Sequence, residues 1–158
     1  MPVTLLPLPA DQFPAWFRRC QAEYAADLVA TGVDPEAAAS QAAQSLESAF
    51  PGGVPTAVNA VFLLVDTAQA TVGYLWVGRD TSDDPASWWV WDVVVDAGSR
   101  GKGYGRASML LAEDYARSQG ATSLGLSVFG FNTAARGLYE SLGYETTSIK
   151  MRKQLTTE

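Results

Sequence analysis

The spacing of hydrophobic positions changes several times along the chain, and each change marks an element. Val3 to Leu8 is a short apolar run ended by Pro7 and Pro9, which predicts a first strand. Phe13, Trp16, Phe17, Cys20, Tyr24 and Leu28 then recur at helical spacing. Asp11 is placed to cap that helix, Pro14 falls in its first turn, where a missing N–H costs little, and Gly32 stops it. Asp34-Pro35 is a second start signal, a cap followed by proline at the first helical position. The stripe Ala38, Ala42, Leu46, Ala49 and Phe50 carries this helix to Pro51-Gly52-Gly53.

Three strand-like runs rich in Val, Leu and aromatics come next: Ala60 to Asp66, Thr71 to Arg79 and Ser87 to Asp96. The polar turn Asp80 to Pro85 joins the last two, so the runs read as an antiparallel meander. Strict alternation along the third puts Trp89 and Trp91 on one face with Val93, and Trp88, Val90 and Asp92 on the other. Gly103 to Gln119 reads as a helix, Ser123 to Val128 as a strand, and Asn132 to Leu142 as a short helix closed by Gly143. Tyr144 to Leu155 reads as one bent strand or a tight pair. The expected fold is α/β (α+β), one domain over residues 1–158: a mixed, mostly antiparallel sheet with helices on both faces.

Composition narrows the chemistry. With 158 residues, 47% hydrophobic and 18% charged, the chain has the balance of a globular domain with a sizeable core. A net charge of −6 argues against a nucleic-acid partner. It suits solubility first and a cationic partner second. The single cysteine excludes an internal disulfide, and the absence of histidine removes Ser-His-Asp and Cys-His catalysis and His-ligated zinc. No metal is expected, and proton transfer falls to carboxylates, Tyr, Lys or water. The N-terminus lacks a basic segment followed by a long apolar run, and no stretch approaches membrane-spanning length. The expectation is a cytoplasmic protein without a membrane partner, monomeric or homodimeric. Cys20 lies on the apolar stripe of the first helix with no base pattern beside it, which favours a core role.

The most informative stretch is Val93-Val94-Val95 running into Arg100-Gly101-Lys102-Gly103-Tyr104-Gly105-Arg106, an apolar strand, a glycine-rich turn and a helix start. Helix N-termini present unpaired N–H groups and about half a positive charge. Glycines let the backbone adopt positive φ and come close to an anion. Arg100, Lys102 and Arg106 add a local basic cluster to an otherwise acidic chain. Together these features describe a phosphate site. A P-loop is excluded because Gly103, not Ser or Thr, follows Lys102. A Rossmann fingerprint from Gly101 would need glycine where Arg106 stands, and the meander upstream argues against a parallel nucleotide-binding sheet.

Arg100-Gly-Lys-Gly-Tyr-Gly105, preceded by an apolar strand, resembles the R-x-x-G-x-G acyl-CoA signature of the GNAT superfamily of N-acetyltransferases. Downstream, Asn132-Thr-Ala-Ala-Arg-Gly-Leu-Tyr139-Glu-Ser-Leu-Gly-Tyr144 is similar to that family's N-x-x-A-x-x-L-Y-x-x-x-G-[FY] motif, with one helix and one strand between the two. The resemblance covers residues 58 to 155 well and the N-terminal helices in outline. It implies acetyl-CoA as co-substrate and direct transfer of the acetyl group to a small-molecule or peptidyl amine in a ternary complex. It also implies a sheet splayed between the strands near Val95 and Leu126, with the pantetheine arm pairing with the backbone of Val93, Val94 and Val95 in the manner of an added strand. The N–H groups of Arg100, Gly101, Lys102, Gly103, Tyr104, Gly105 and Arg106 then receive the pyrophosphate, and an N–H near Val93 or Val94 faces the oxygen on which charge develops.

The remaining roles are less exclusive. Asn132 matches a position near the cofactor arm and is also a preferred helix cap. Tyr139 matches the family's general acid, and a phenol of pKa ~10 protonates a thiolate of pKa ~8.5 at little cost. It also suits packing with Leu138 and Leu142. An amine of pKa ~10.4 must lose a proton before it attacks, a cost near ~4.6 kcal/mol at pH 7. Asp92, the one charge inside Trp88-Trp-Val-Trp-Asp-Val-Val-Val95, is the leading candidate for the base. An ion pair, a turn bond, or a water chain in its place are the alternatives. Glu23 and Asp27 on the first helix, Trp76, and Phe131 are the candidates for acceptor contacts, against the plainer readings of solvated face and core. Many relatives have two separated strands after the last helix, whereas Tyr144 to Thr156 leaves little room for them, which weakens inference about the acceptor. A non-catalytic acyl-CoA-binding or sensing module is the alternative function.

Overall fold

The computed structural model describes residues 2–156. The sheet has five strands in sequential order: β1 (Thr4–Pro7), β2 (Asn59–Val65), β3 (Thr71–Arg79), β4 (Ser87–Val95) and β5 (Ser123–Leu126). The pairs from β1 to β4 are antiparallel, and β4 and β5 are parallel. The single domain, the mostly antiparallel sheet and the helices on both faces agree with the sequence reading, as do the meander and the element order through the last helix.

Helices α1 (Phe13–Ala30) and α2 (Pro35–Ala49) cover one face, and α3 (Tyr104–Ser118) packs on the other, followed after β5 by α4 (Thr133–Ser141). β3 is the reason both layers hold. All seven residues between its ends are buried, as expected for a central strand covered on both sides. Leu75 and Val77 join Trp88, Val90, Met109, Ala112 and Ala116 under α3. Tyr74 and Trp76 join Phe13, Trp16, Cys20, Leu46 and Phe50 under α1 and α2. Trp16 makes edge-on contacts with Phe50, Tyr74 and Trp76 at centroid distances of 5.6, 5.8 and 5.7 Å, the geometry aromatic quadrupoles favour. Ala38 and Ala42 are fully buried, and their small side chains let α2 lie close against its neighbours.

Local chemistry sets the helix ends. The Asp34 carboxylate accepts from the N–H groups of Glu36 and Ala37, with Pro35 at the first helical position, as the sequence predicts. Gly32 has φ +98°, the left-handed geometry that ends α1. Asp11 does not cap α1. Residues Ala10–Gln12 form a 3-10 turn, and α1 begins at Phe13 behind Gln12 with no side-chain cap. A turn already continuous with the helix leaves the Asp11 side chain one step too early. The strand expected over Tyr144 to Leu155 is also absent: residues 144–156 carry no regular structure. Ile149, Met151 and Leu155 are exposed, so this segment has no sheet face to bury against. Arg152 instead donates to the Thr31 carbonyl at 2.6 Å. No helix among the described residues is long and apolar enough to cross a membrane.

Alternation fails at one place that matters. Trp76 pairs with Asp92 but Val77 pairs with Val90, so Trp91 is an extra residue in β4, a β-bulge. Trp91 stacks on Trp76 at 5.8 Å, and Asp92 also points to the α1 face, where Cys20 and Tyr74 reach it. The expectation that Asp92 shares a face with Trp88 and Val90 is therefore corrected: two consecutive side chains take the same side at the bulge.

Gly73 lies where β3 meets the carbonyl of Val94, and an added Cβ would stand 1.9 Å from that oxygen. Backbone cannot yield as a side chain does. Gly73→Ala should lower stability by about 1–3 kcal/mol, read as a lower urea midpoint with an unchanged slope.

Candidate active site

β4 and β5 pair from Ser87↔Ser123 to Val90↔Leu126 and no further. Beyond the bulge, β4 continues along β3 through Val95, while its other edge loses its partner. The strands therefore part between Val95 and Leu126, the place the sequence reading gives for the splay. The backbone of Val93, Val94 and Val95 borders the resulting cleft, whose lining also includes Ser127, Asn132 and Tyr139. Val93 and Val95 pack toward α3 and Val94 toward α1, so these side chains serve the core; Val94 turns its backbone groups to Tyr74 in β3, and Val93 and Val95 turn theirs to the opening.

At the C-terminal end of β4 the chain turns through Ala97–Ser99 and enters the glycine segment. Gly101 and Gly103 have φ of +78° and +81°. A side chain at either position would be strained. Gly103 occupies the N-cap position of α3, and no side chain caps that end. By contrast, Asp34 caps α2, and the Asn132 side chain caps α4 by accepting from Ala135 N–H at 3.2 Å. Arg100 donates from Nε to the Val95 carbonyl at 3.0 Å, which ties the turn to the end of β4. Arg106 reaches sideways to Ser141 Oγ at 2.5 Å, and Gly105 lets Leu138 approach, its missing Cβ lying 3.3 Å from the leucine Cδ2. Gly105 and Arg106 thus fasten α3 to α4, while Gly101 to Tyr104 carry the open helix start. The Tyr104 side chain itself is buried in the core.

Asp92 stands on the cleft wall within a bonded group. The Tyr74 hydroxyl lies 2.7 Å from Asp92 Oδ2 and 2.8 Å from Glu23 Oε2. The Cys20 thiol donates to Asp92 Oδ2 at 3.6 Å. Glu23 also pairs with Arg19 at 2.8 Å, and Arg19 bridges on to Asp96 at 2.7 Å. Burial raises the Asp92 carboxyl from 3.8 to about 6, with the Glu23 and Asp27 charges adding to the effect while the Tyr74 and Cys20 bonds oppose it. Burial, then the Asp92 charge, pushes the Tyr74 hydroxyl and the Cys20 thiol upward, so both remain protonated. Tyr139 is half-buried against the α3-side core, and its hydroxyl is raised by burial and then by the charge of Asp92.

The proposed acceptor contacts divide. Glu23 and Asp27 lie beside Asp92 on α1, and burial with the Glu23 charge raises the Asp27 carboxyl. Trp76 is 6% exposed and donates to Asn59 Oδ1 at 2.8 Å, which makes it a core residue. Trp91, stacked on it, is the exposed member of that pair. Phe131 is 57% exposed and stacks on Phe129 at 5.5 Å, at the mouth of the loop before α4. Tyr74, Arg19 and Cys20 are not singled out by sequence as parts of a site. The only signal for Tyr74 and Cys20 is a polar atom on a strip that otherwise reads as core.

The model of the Acetyltransferase (GNAT) family matches residues 42–144. The chain belongs to this family of acetyltransferases. It is 29% identical over 156 residues to the uncharacterized N-acetyltransferase YycN of Bacillus subtilis, covering 98% of this chain and 100% of that protein. The crystal structure of YycN superposes with a TM-score of 0.89 over 98% of this chain and 99% of that one. The mycothiol acetyltransferase of Rhodococcus erythropolis is 36% identical over 89 residues, 54% of this chain and 30% of that protein. A Pyrococcus furiosus acetyl transferase, at 21% identity and a TM-score of 0.66, shares the fold. In this GNAT chain the two motifs sit at the uncapped start of α3 and along the capped α4, and residues of both line the same opening.

The folded-state carboxyl of Asp92 titrates above its unfolded value, so folding opposes its ionisation. That cost is full above pH 6 and fades as the pH falls toward 4. Asp92→Asn should therefore raise stability at pH 8 by about 1–3 kcal/mol. The difference from wild type should close between pH 6 and 4, read by urea denaturation across that range.

Proposed function

We propose that this GNAT chain transfers an acetyl group from acetyl-CoA to a primary amine by direct attack in a ternary complex. The observation that carries the reading is the pairing of an uncapped, glycine-shaped helix start with a β4 edge that has lost its partner. Both kinds of unpaired backbone N–H lie along one path, the donors that a pyrophosphate and an amide-bearing arm require. Within that path, Gly101, Lys102, Gly103 and Tyr104 would meet the pyrophosphate, supported by Arg100 and Arg106 as local positive charge. Val93 and Val95 would pair with the pantetheine arm, and Asn132 would border it while capping α4. Acetyl-CoA supplies the activated thioester.

Asp92 takes the proton that the incoming amine must lose. A carboxyl held at about 6 is a better base near neutrality than an ordinary aspartate, which is the chemical use of its burial. Tyr139 stays protonated and gives its proton to the departing sulfur. A primary amine, small or peptidyl, is the acceptor. Glu23 and Asp27 give its approach a negative wall, with Trp91 and Phe131 as exposed aromatic surfaces near it. In this reading the reaction runs on acetyl-CoA in the cytoplasm and uses no metal. The alternative, a sensor that binds acyl-CoA without turnover, would leave the Asp92 and Tyr139 pair without a task.

The test is CoA release from acetyl-CoA with spermidine, lysine, tyramine and a lysine peptide as acceptors. Tyr139→Phe should lower kcat by about 10²-fold or more while acetyl-CoA affinity changes less than threefold. Unchanged kcat would remove Tyr139 from the acid role. Acetyl-CoA binding without release by the wild type on all acceptors would favour the sensor.

A further inference from the structure

The Tyr74 hydroxyl has one hydrogen, yet it lies at hydrogen-bond distance from two carboxylates, 2.7 Å from Asp92 Oδ2 and 2.8 Å from Glu23 Oε2. A hydroxyl donates once and accepts through its lone pairs. Both contacts are satisfied only when one carboxyl carries a proton and donates it to the Tyr74 oxygen, which then donates to the other. Glu23 is the end held by a cation, through its other oxygen to Arg19 at 2.8 Å. Asp92 is the end withdrawn from solvent. The arrangement therefore matches a proton on Asp92 and a charge on Glu23, the condition just after Asp92 has taken a proton from an amine.

The geometry points to Tyr74 and Glu23 as a proton relay that empties Asp92 into solvent after each transfer. This inference rests on the acetyltransferase reading and on Asp92 as its base. The step balances without any other reactant. The Asp92 O–H bond breaks as its proton moves to the Tyr74 oxygen, and the Tyr74 O–H bond breaks as its own proton moves to Glu23 Oε2. Tyr74 ends as a neutral hydroxyl, Asp92 ends as a carboxylate, and Glu23 ends protonated. The Glu23 side chain is 38% exposed and releases that proton to water. Direct loss from Asp92 would have to pass through a cleft filled by both substrates.

The surroundings favour a handover through a neutral hydroxyl. Tyr74 is 1% exposed, with its ring fixed edge-on to Trp16 at 5.8 Å and Arg19 lying over its face at 5.1 Å. Arg19 also grips Asp96 at 2.7 Å, so the Glu23 end is anchored to the segment after β4. The charged and titratable groups facing the relay are Arg19, Cys20, Glu23 and Asp27 from α1, Tyr74 from β3, Asp92 and Asp96 from β4 and the turn after it, and Tyr139 from α4. In the relay Tyr74 and Glu23 act on the reacting amine only through Asp92, as positioning residues, while the Glu23 charge also forms part of the wall the acceptor approaches.

The experiment measures CoA release across pH 5.5–9 for wild type, Glu23→Gln and Tyr74→Phe in the full chain, with whichever of spermidine, lysine, tyramine and the lysine peptide the wild type uses fastest. Glu23→Gln keeps the shape and the exposure but cannot accept a proton. Both variants should lose on the order of ten- to a hundredfold in kcat, with the KM for acetyl-CoA within twofold of wild type. In Tyr74→Phe the acid limb of the kcat profile should move to higher pH, because Asp92 loses a bond that favours its charged form. Imidazole at high concentration should restore part of kcat in Glu23→Gln, which lost packing would not allow. Glu23→Gln with kcat within twofold of wild type and an unshifted profile overturns the relay even if Tyr74→Phe fails to fold. A wild type that neither binds acetyl-CoA nor releases CoA overturns the acetyltransferase reading and the relay together. An active wild type with indifferent variants overturns the relay alone.

Discussion

Trp91 is one residue more than the ladder between β3 and β4 accommodates, and the site depends on how that surplus is absorbed. A bulge bends its strand and increases the local twist. Here the bend coincides with the end of pairing between β4 and β5, so the same residue opens the sheet and resets the facing of the residues after it. Before the bulge, Trp88 and Val90 face the α3 core. After it, Asp92 faces α1, and Val93 returns to α3. Under strict alternation of the same residues, Asp92 would lie in the apolar layer with Met109 and Ala112, where a carboxyl has no partner and costs several kcal/mol or loses its charge. With the bulge, the carboxyl lands beside the Tyr74 hydroxyl and the Cys20 thiol, which bond it.

The two ends of the cleft carry opposite electrostatics, and each derives from local structure. At the glycine turn, positive φ at Gly101 and Gly103 leaves the α3 start open, and Arg100 and Lys102 stand in the same turn. At the bulge, Glu23, Asp27 and Asp92 converge from α1 and β4. An anionic co-substrate and a cationic acceptor would be drawn to different ends of one opening, with the reacting atoms between them. The net charge of −6 therefore describes neither end. It averages a basic turn and an acidic wall.

Legibility differs sharply between these features. Helices α2, α3 and α4 and strands β2 to β5 are readable because each obeys a local rule, such as the Asp34-Pro35 start or the buried run around Tyr74. The glycine turn is readable because conformation and charge are both written in adjacent residues. The bulge is not, since nothing in Trp-Trp-Val-Trp-Asp distinguishes strict alternation from a one-residue surplus, and the pairing partner decides. For the same reason Tyr74 and Cys20 read as core: their polar atoms matter only once α1 and β3 are placed against Asp92. The last segment fails differently. Ile149, Met151 and Leu155 alternate like a strand, but a strand needs a neighbour to pair with, and the chain from Glu145 to Thr156 has none.

Backbone donors left open by the bulge and by the α3 start are the centre of the proposed chemistry, and amide resonances report on them directly. Acetyl-CoA titrated into uniformly ¹⁵N-labelled protein should shift the amides of Val93, Val95 and Gly101 to Arg106 most, with saturation, while those of β1 and β2 stay in place. Large shifts confined to other residues, or none at the glycine turn at saturating acetyl-CoA, would contradict it.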